Sequence, residues 1–315
     1  QSEVTSGSSR IWSNRPATGP WSVLDMFPEK ELEMTTKPIT MILAGGLGNQ
    51  LFQWATGYAL SQRLHAGLEL DSRKIVRLDK SLDQRSYQLN YFSISNYQSL
   101  PLGTRMKLPS LIWGASKSRA QTFQESSFRF DQRIEDVEPG STLTGHFQSW
   151  RYFDGYESEI REALALGAKP SPQYLDLSRK LAGRRWVGVH VRRGDYENFP
   201  EVFTLLDANY YARALNLLDL STSDEVVVFS EDIADARALV PQGTIYADSS
   251  KISQPGDVVM LLAGANHVVG ANSSLSWWGA YLNEIPDAEK IFPSRWFGPK
   301  GWPIDDLIPT SWRLT

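Results

Sequence analysis

The sequence predicts an α/β fold: two Rossmann-like domains, each built on a parallel sheet, facing each other across a cleft. Three observations carry this. Short apolar runs alternate with helix-period segments along most of the chain, as parallel strands covered by helices require. A Gly-rich turn joins the first such run to the first helix, and a later run ends in clustered polar and ionisable residues where strand meets loop. The length, 315 residues, suits two domains of roughly 150 each.

Residues 1–37 are rich in Ser, Pro, Gly and charge without a steady period, so an irregular arm is expected there. Residues 39–44, Ile-Thr-Met-Ile-Leu-Ala, read as a buried strand closed by Gly45-Gly46-Leu47-Gly48. A helix follows, capped by Gly48 or Asn49, with Leu51, Phe52, Ala55, Tyr58, Ala59 and Gln62 at three- and four-residue steps. Residues 68–71 supply the next strand. Residues 72–140 keep no period, which predicts short helices, loops and a flexible binding edge. Order returns with a strand at 142–147 and an amphipathic helix near 156–166. The Pro-containing stretch 167–172 offers a boundary, giving an N-terminal domain over 38–180 and a C-terminal domain over 181–315. In the second, strands at 186–191, 225–229, 244–246, 267–270 and 290–292 alternate with helices at 208–218, 233–239, 257–263 and 274–282.

Composition narrows the function. The absence of cysteine excludes disulfide scaffolds, thiol catalysis and zinc-finger ligation. A formal net charge of -4 argues against a nucleic-acid partner or a polybasic anchor. No apolar run approaches the roughly 18 residues of a membrane span, so no transmembrane segment is expected and peripheral membrane contact stays open. The first residue, Gln1, reads as a sign of processing or truncation. Location is thereby left between bacterial cytoplasm or membrane periphery and a Golgi lumen with an anchor upstream. No Asp-x-Asp pair occurs and the four histidines lack paired spacing, so no metal is expected. Several of the eleven tryptophans stand beside Gly, Ser or Arg, a hint of sugar-sized surfaces, although core packing is the expectation for most.

Four segments could carry chemistry. Gly45-Gly46-Leu47-Gly48-Asn49-Gln50 lacks the third glycine of a dinucleotide fingerprint, Leu51 standing there, and lacks the Lys of a P-loop. It reads either as a tight turn with an N-cap or as a backbone approached by ligand, with Asn49 and Gln50 offering amides. His190-Val191-Arg192-Arg193-Gly194-Asp195-Tyr196 ends a buried strand, where polar groups need either a ligand or mutual ion pairs. Arg192 suits a phosphate through its planar two-pronged donation, and Asp195 reads as an orienter of an arginine. Phe229-Ser230-Glu231-Asp232 either lines a nucleotide pocket or caps the next helix. Asp257 opens a helix, and Gly270-Ala271-Asn272-Ser273-Ser274 runs into another, where free N–H groups and hydroxyls attract anions; plain capping is the alternative. Asn272-Ser273-Ser274 also matches a glycosylation acceptor, a poor one when pressed against a sheet.

In order, these segments resemble the inverting α-1,2-fucosyltransferases of glycosyltransferase family 11. The matching stretches are Gly-Gly-Leu-Gly-Asn-Gln-Leu-Phe-Gln (45–53), Gly-His-Phe-Gln-Ser (145–149) with Tyr152-Phe153, His-Val-Arg-Arg-Gly-Asp-Tyr (190–196), Phe-Ser-Glu-Asp (229–232), Ala-Asn-Ser-Ser-Leu-Ser-Trp-Trp-Gly-Ala (271–280) and Trp296-Phe297. Glu231, His146 and Trp54 depart from the residues usual there. The resemblance implies a GT-B-like fold transferring fucose from GDP-fucose to a galactose-containing oligosaccharide without a metal, with no other cofactor. By the same likeness Arg192 grips the β-phosphate, His190 touches the nucleotide and Asp257 reads guanine, whose N1–H and exocyclic amine one carboxylate can accept. Asn272, Ser273, Ser274, Ser230 and Gly48 join the donor site. Asn49 and Gln50 orient the reacting groups, and His146 and Gln148 lie on the acceptor side. No general base is assigned: Asp195 and Glu197 flank the motif, but an Asp fixed against arginine is a feeble base. The rivals are a GDP-sugar-binding or lectin-like protein without turnover, and a family relative with another acceptor.

Overall fold

A computed structural model describes residues 35–77, 86–94, 98–99, 121–249 and 254–315. Nearly all of the arm expected over 1–37 lies outside these. Its last residues are strand rather than arm: β1 (Thr35–Ile42) begins with Thr35 beside Ala66, and the register slips before Ile39, where Pro38 has no N–H for the ladder.

The first sheet continues with β2 (Ala66–Asp71), β3 (Gln98–Ser99), β4 (Thr122–Gln124) and β5 (Thr142–Thr144), in the order β3-β2-β1-β5-β4. The second contains β6 (Trp186–Val191), β7 (Glu225–Ser230), β8 (Ile245–Asp248), β9 (His267–Val269), β10 (Lys290–Phe292) and β11 (Arg313–Leu314), ordered β11-β10-β9-β6-β7-β8. Every paired strand in both is parallel, so both are the Rossmann-like sheets expected. Strands β6, β7 and β9 are mostly apolar, with polar residues only toward their ends, as burial on two faces demands.

The helices are α1 (Leu47–Arg63), α2 (Arg73–Arg77), α3 (Glu157–Gly167), α4 (Pro172–Leu181), α5 (Ala208–Asn216), α6 (Ile233–Leu239), α7 (Pro255–Ala263) and α8 (Ser274–Tyr281). Helix α4 starts at the last residue of the stretch that reads as a boundary. Ser171 caps it by accepting from the Tyr174 N–H, and Pro172 occupies the first turn, where its missing donor costs nothing. Helix α1 is buried on almost every side because the first sheet packs on one face and α8 on another. At that seam Phe52 lies 4.5 Å from Trp277 and 5.2 Å from Trp278, and Phe153 stacks at 5.8 Å on Trp278. One apolar cluster runs from Ile39 and Phe52 through Trp277 and Trp278 to Ile308, joining both halves; a second, around Val189, Tyr211 and Ile291, fills the far face of the second sheet. Trp54, Trp186, Trp277, Trp278 and Trp296 are buried, in line with core packing. No described helix is long and apolar enough to cross a membrane.

Candidate active site

In the second sheet β6 and β9 send their connections to opposite sides, toward β7 and toward β10. Loops diverge there and leave a crevice at the strands' C-terminal ends, where α/β sheets take ligands. The loops after β1 and β5, neighbours in the first sheet, face it, and together they enclose a cavity of about 380 Å³, within the range of small-molecule sites. Its wall takes Gly46 from the loop after β1, Gly48 and Asn49 from the first turn of α1, His146 and Gln148 from the loop after β5, His190 and Arg192 from β6 and its loop, Ser273 from the loop after β9 and Ser274 from the start of α8.

The turn after β1 is made for close approach. Gly45 has φ +77°, a conformation side chains rarely adopt, and a Cβ on Gly48 would run into the side chain and backbone of Ser274. Trp278 Nε1 donates to the Gly48 carbonyl at 3.0 Å. Asn49 Oδ1 accepts from Gln148 Nε2 at 2.7 Å and from Ser274 Oγ at 3.1 Å, one donor from each half. Two donors on the same oxygen fix which end of the amide faces which way.

Gln50 stands differently from the expectation that it orients reacting groups. It is buried off the wall, donating to the carbonyls of Gly45 and Ser86, each at 2.9 Å, and accepting from the Gln88 N–H. It shapes the turn rather than meeting substrate. Gln53, quoted in the same motif but given no role, does likewise: it accepts from the Ala44 N–H and donates to the Gly145 carbonyl, pinning the loops after β1 and β5 together.

The strand expected over 142–147 stops at Thr144. The chain turns at Gly145 because Glu125 Oε2 accepts from the N–H groups of His146 and Phe147, at 2.7 and 2.9 Å, in place of a ladder, while Phe147 takes φ 53°. Tyr152 completes the clamp by donating to Glu125 Oε1 at 3.1 Å. Burial pushes the Glu125 carboxyl above its ordinary value, against the pull of those N–H donors. The turn brings both His146 and Gln148 to the cavity. Crowding by protein, with a smaller contribution from Lys74, holds the His146 imidazole below its usual range.

On the other half, Arg192 lies on the wall with Nη1 2.7 Å from Glu231 Oε1 and its guanidinium 5.2 Å above the Tyr196 ring. Arg193 faces Asp235 at 3.9 Å. Both arginines of this motif thus stand in ion pairs, and Arg192 also faces the cavity. Glu231 lines the cavity too, unassigned from sequence because an acidic residue after a strand looks like a helix cap. His190 is buried at the wall; desolvation, then the Arg192 charge, push its imidazole down to about 3, so it is neutral. Its Nδ1 has no partner among the described residues. Ser273 caps α8, accepting from the Leu275 N–H, so the helix presents its positive end to the cavity.

Three residues expected at the donor site stand behind the wall. Asn272 is buried behind the wall, donating to the carbonyls of Thr204 and Trp296 at 2.8 and 2.7 Å, which fastens two loops. Ser230 is likewise buried, accepting from the Asp232 N–H at 3.1 Å. Asp257 does not reach the wall. Pro255 and Val258, three apart on one face of α7, line the cavity, while Asp257 turns inward. Its Oδ1 accepts from Tyr91 Oη at 2.7 Å and the Ser171 N–H at 3.2 Å, and its Oδ2 has no partner among the described residues. Asp195 belongs to a single 3-10 turn, Gly194–Asn198, and its side chain lies outside the described residues. Tyr196, quoted in the second motif without a role, also lines the cavity, as do Ser249, Phe128 and Trp302, which carried no sequence signal beyond their residue type.

The model of the family described as glycosyl transferase family 11 matches residues 141–297. Among curated relatives, the chain is 28% identical over 292 residues to an alpha-1,2-colitosyltransferase of Escherichia coli, covering 86% of this chain and 96% of that protein. It is 30% identical over 295 residues to the galactoside alpha-(1,2)-fucosyltransferase 2 of Bos taurus, covering 84% of this chain and 79% of that one. Among solved structures, the fucosyltransferase NodZ from Bradyrhizobium aligns at 14% identity with a TM-score of 0.48, over 78% of this chain and 93% of that one.

Proposed function

Because the chain belongs to glycosyl transferase family 11, we propose that it transfers L-fucose from GDP-β-L-fucose, with inversion, to O2 of a terminal galactoside, and needs no metal. The observation that carries this reading is the meeting, on one cavity, of Arg192, the capped end of α8 at Ser273 and Ser274, and the Gly46 to Gly48 turn of the opposite half.

The acceptor hydroxyl attacks the anomeric carbon on the face opposite GDP; the bond from that carbon to the β-phosphate oxygen breaks, and negative charge grows on the phosphate. A fixed donor aimed at such charge contributes about 2.7–4 kcal/mol, so Arg192 with two donors at the 273–274 turn supplies about 6–10 kcal/mol when partly additive. That is the argument for doing without a metal. Glu231 already pairs with Arg192, which makes it a partner of the phosphate-binding group rather than a base. Positive charge gathering on the sugar ring acidifies the attacking hydroxyl late, which lessens the need for a strong base.

A second donor is favoured by the Escherichia coli relative, whose name specifies a colitosyl group, the 3-deoxy counterpart of fucose. The experiment is GDP release from GDP-fucose and GDP-colitose, in EDTA, against a panel of galactosides and free lactose, with linkage analysis of the product. An α-1,2-linked fucoside is expected, and Arg192→Ala should abolish its formation. Release with no galactoside, release only with Mn²⁺, or GDP binding without turnover overturns the reading, the last in favour of a GDP-sugar-binding protein.

A further inference from the structure

Part of the cavity wall is aromatic, and of its rings only His146 has been given a side. Phe128, His146, Phe297 and Trp302 line it. The His146 ring lies parallel to Phe128 at 5.1 Å, Trp302 sits 4.7 Å from Phe128, and Phe297 meets Trp302 edge-on at 5.3 Å. Phe128 and His146 come from the loops after β4 and β5, whereas Phe297 and Trp302 follow β10, so the corner exists only where the two halves meet. It is built rather than incidental. Asp305 accepts from Arg129 Nε at 2.7 Å, and Asp306 accepts from the Phe130 N–H at 2.9 Å and from Arg151 at 3.2 Å, fastening the Trp302 segment to the Phe128 segment. Despite that fastening Trp302 stays 44% exposed.

The corner adjoins the amides of the site. His146 packs on Phe128, and two residues further on the same turn Gln148 bonds to Asn49. We propose that this corner seats the acceptor: a hexopyranoside that lays an unbroken C–H face on Trp302 and Phe128, as a galactoside does through C3, C4 and C5, and turns its hydroxyl edge to Asn49 and Gln148. The inference rests on the glycosyl-transfer reading above and names the substrate class of that site. Aromatic faces are suited to apolar C–H groups, while amides both donate and accept toward hydroxyls. A purine also stacks on such rings, but reading its edge takes several fixed polar groups, and the four corner residues offer only the His146 imidazole and the Trp302 indole N–H.

The test uses saturation-transfer NMR with methyl β-galactoside, in the presence of GDP, on the wild-type chain, Trp302→Ala and Trp302→Phe, together with acceptor KM and the GDP-induced shift in Tm. In the wild type, H3, H4 and H5 of the galactoside receive saturation. Trp302→Ala loses that transfer and raises acceptor KM about tenfold, the loss of one aromatic face, while Trp302→Phe restores most of both. The GDP-induced Tm shift holds in all three. The inference is overturned if the wild type passes no saturation to the galactoside, if Trp302→Ala passes as much as the wild type, or if Trp302→Ala loses the GDP shift, which assigns the rings to the base. Saturation that Trp302→Ala abolishes, with no GDP released from GDP-fucose, sinks the transfer reading and leaves the subsite standing. GDP release with an unaltered acceptor KM in Trp302→Ala does the reverse.

Discussion

At the scale of single residues, two carboxylates act in opposite ways. Glu231, half-exposed, holds Arg192 in place at 2.7 Å but puts a negative charge beside the proposed phosphate site. Its Coulomb cost to an incoming anion outlasts its orienting value, since the guanidinium also leans on the Tyr196 ring. Glu231→Gln should therefore lower the Kd for GDP about threefold, the size of a partly exposed charge interaction, with the gain shrinking as salt is raised; isothermal titration at two ionic strengths checks it. Glu125 instead shapes the turn that carries His146 and Gln148. Its pKa is raised in the folded chain, so between the ordinary value of 4.5 and the native one the folded state keeps a proton that the unfolded state has released. Its contribution to stability is thus full below the ordinary carboxylate range and is lost as pH rises through the raised native value. Glu125→Gln removes that segment of the pH dependence. It also leaves one oxygen where three donors need two, and should destabilise the chain by about 1–3 kcal/mol while raising acceptor KM. Unfolding in urea across pH 4 to 8, with a parallel acceptor titration, is the measurement, and a variant with the wild-type pH slope would refute it.

Among the elements, the contact of α1 with α8 matters most to the site. Gly48 touches Ser274 so closely that any Cβ must push the turn and the helix end apart, and Trp278 bonds to the Gly48 carbonyl from behind. Gly48→Ala should cost about 1–3 kcal/mol of stability and, by moving Ser274 away from Asn49, weaken GDP binding as well. Calorimetry with and without GDP separates the two effects; an unchanged GDP shift would mean that the seam does not govern the site. Such a contact is not legible from spacing, which leaves the Gly48 turn evenly balanced between a cap and a ligand loop. The long apolar strands and the α1 periodicity were legible because burial on both faces, or along one stripe, writes a pattern into the residues themselves. Strands β3 and β11, two residues each, and β4, whose Thr122 and Gln124 are exposed, write none. The early stop of β5 was hidden for another reason: Glu125, some twenty residues earlier, decides it. Helix α4 did leave a signal, Ser171-Pro172, that a boundary reading passed over.

For the whole molecule, the order of strands is what turns scattered motifs into a site. Arg192, Ser273, Asn49 and Gln148 are far apart in sequence, and each could be placed at a strand end from local pattern alone. That these loops line one cavity follows from β6 and β9 sending their connections apart in the second sheet and from β1 and β5 standing side by side in the first. Asp257, Asn272 and Ser230 show where strand-end logic fails: a residue at the right edge still turns inward if its backbone or helix phase directs it there. The same seam has a thermodynamic consequence. Two domains joined by a thin polar interface unfold separately, but here one apolar cluster runs across both halves, with Phe52 of α1 set against Trp277 and Trp278 of α8. Neither half can expose that face without stranding the other's aromatics in water, so heat should unfold the chain in a single transition whose calorimetric and van't Hoff enthalpies agree. Phe52→Ala removes a fully buried ring from the middle of the seam and should lower that one transition by about 3–5 kcal/mol without dividing it. If the variant instead shows two peaks, with one at the wild-type temperature, the halves fold independently, and the cavity between them is set by ligand closure rather than by the shared core.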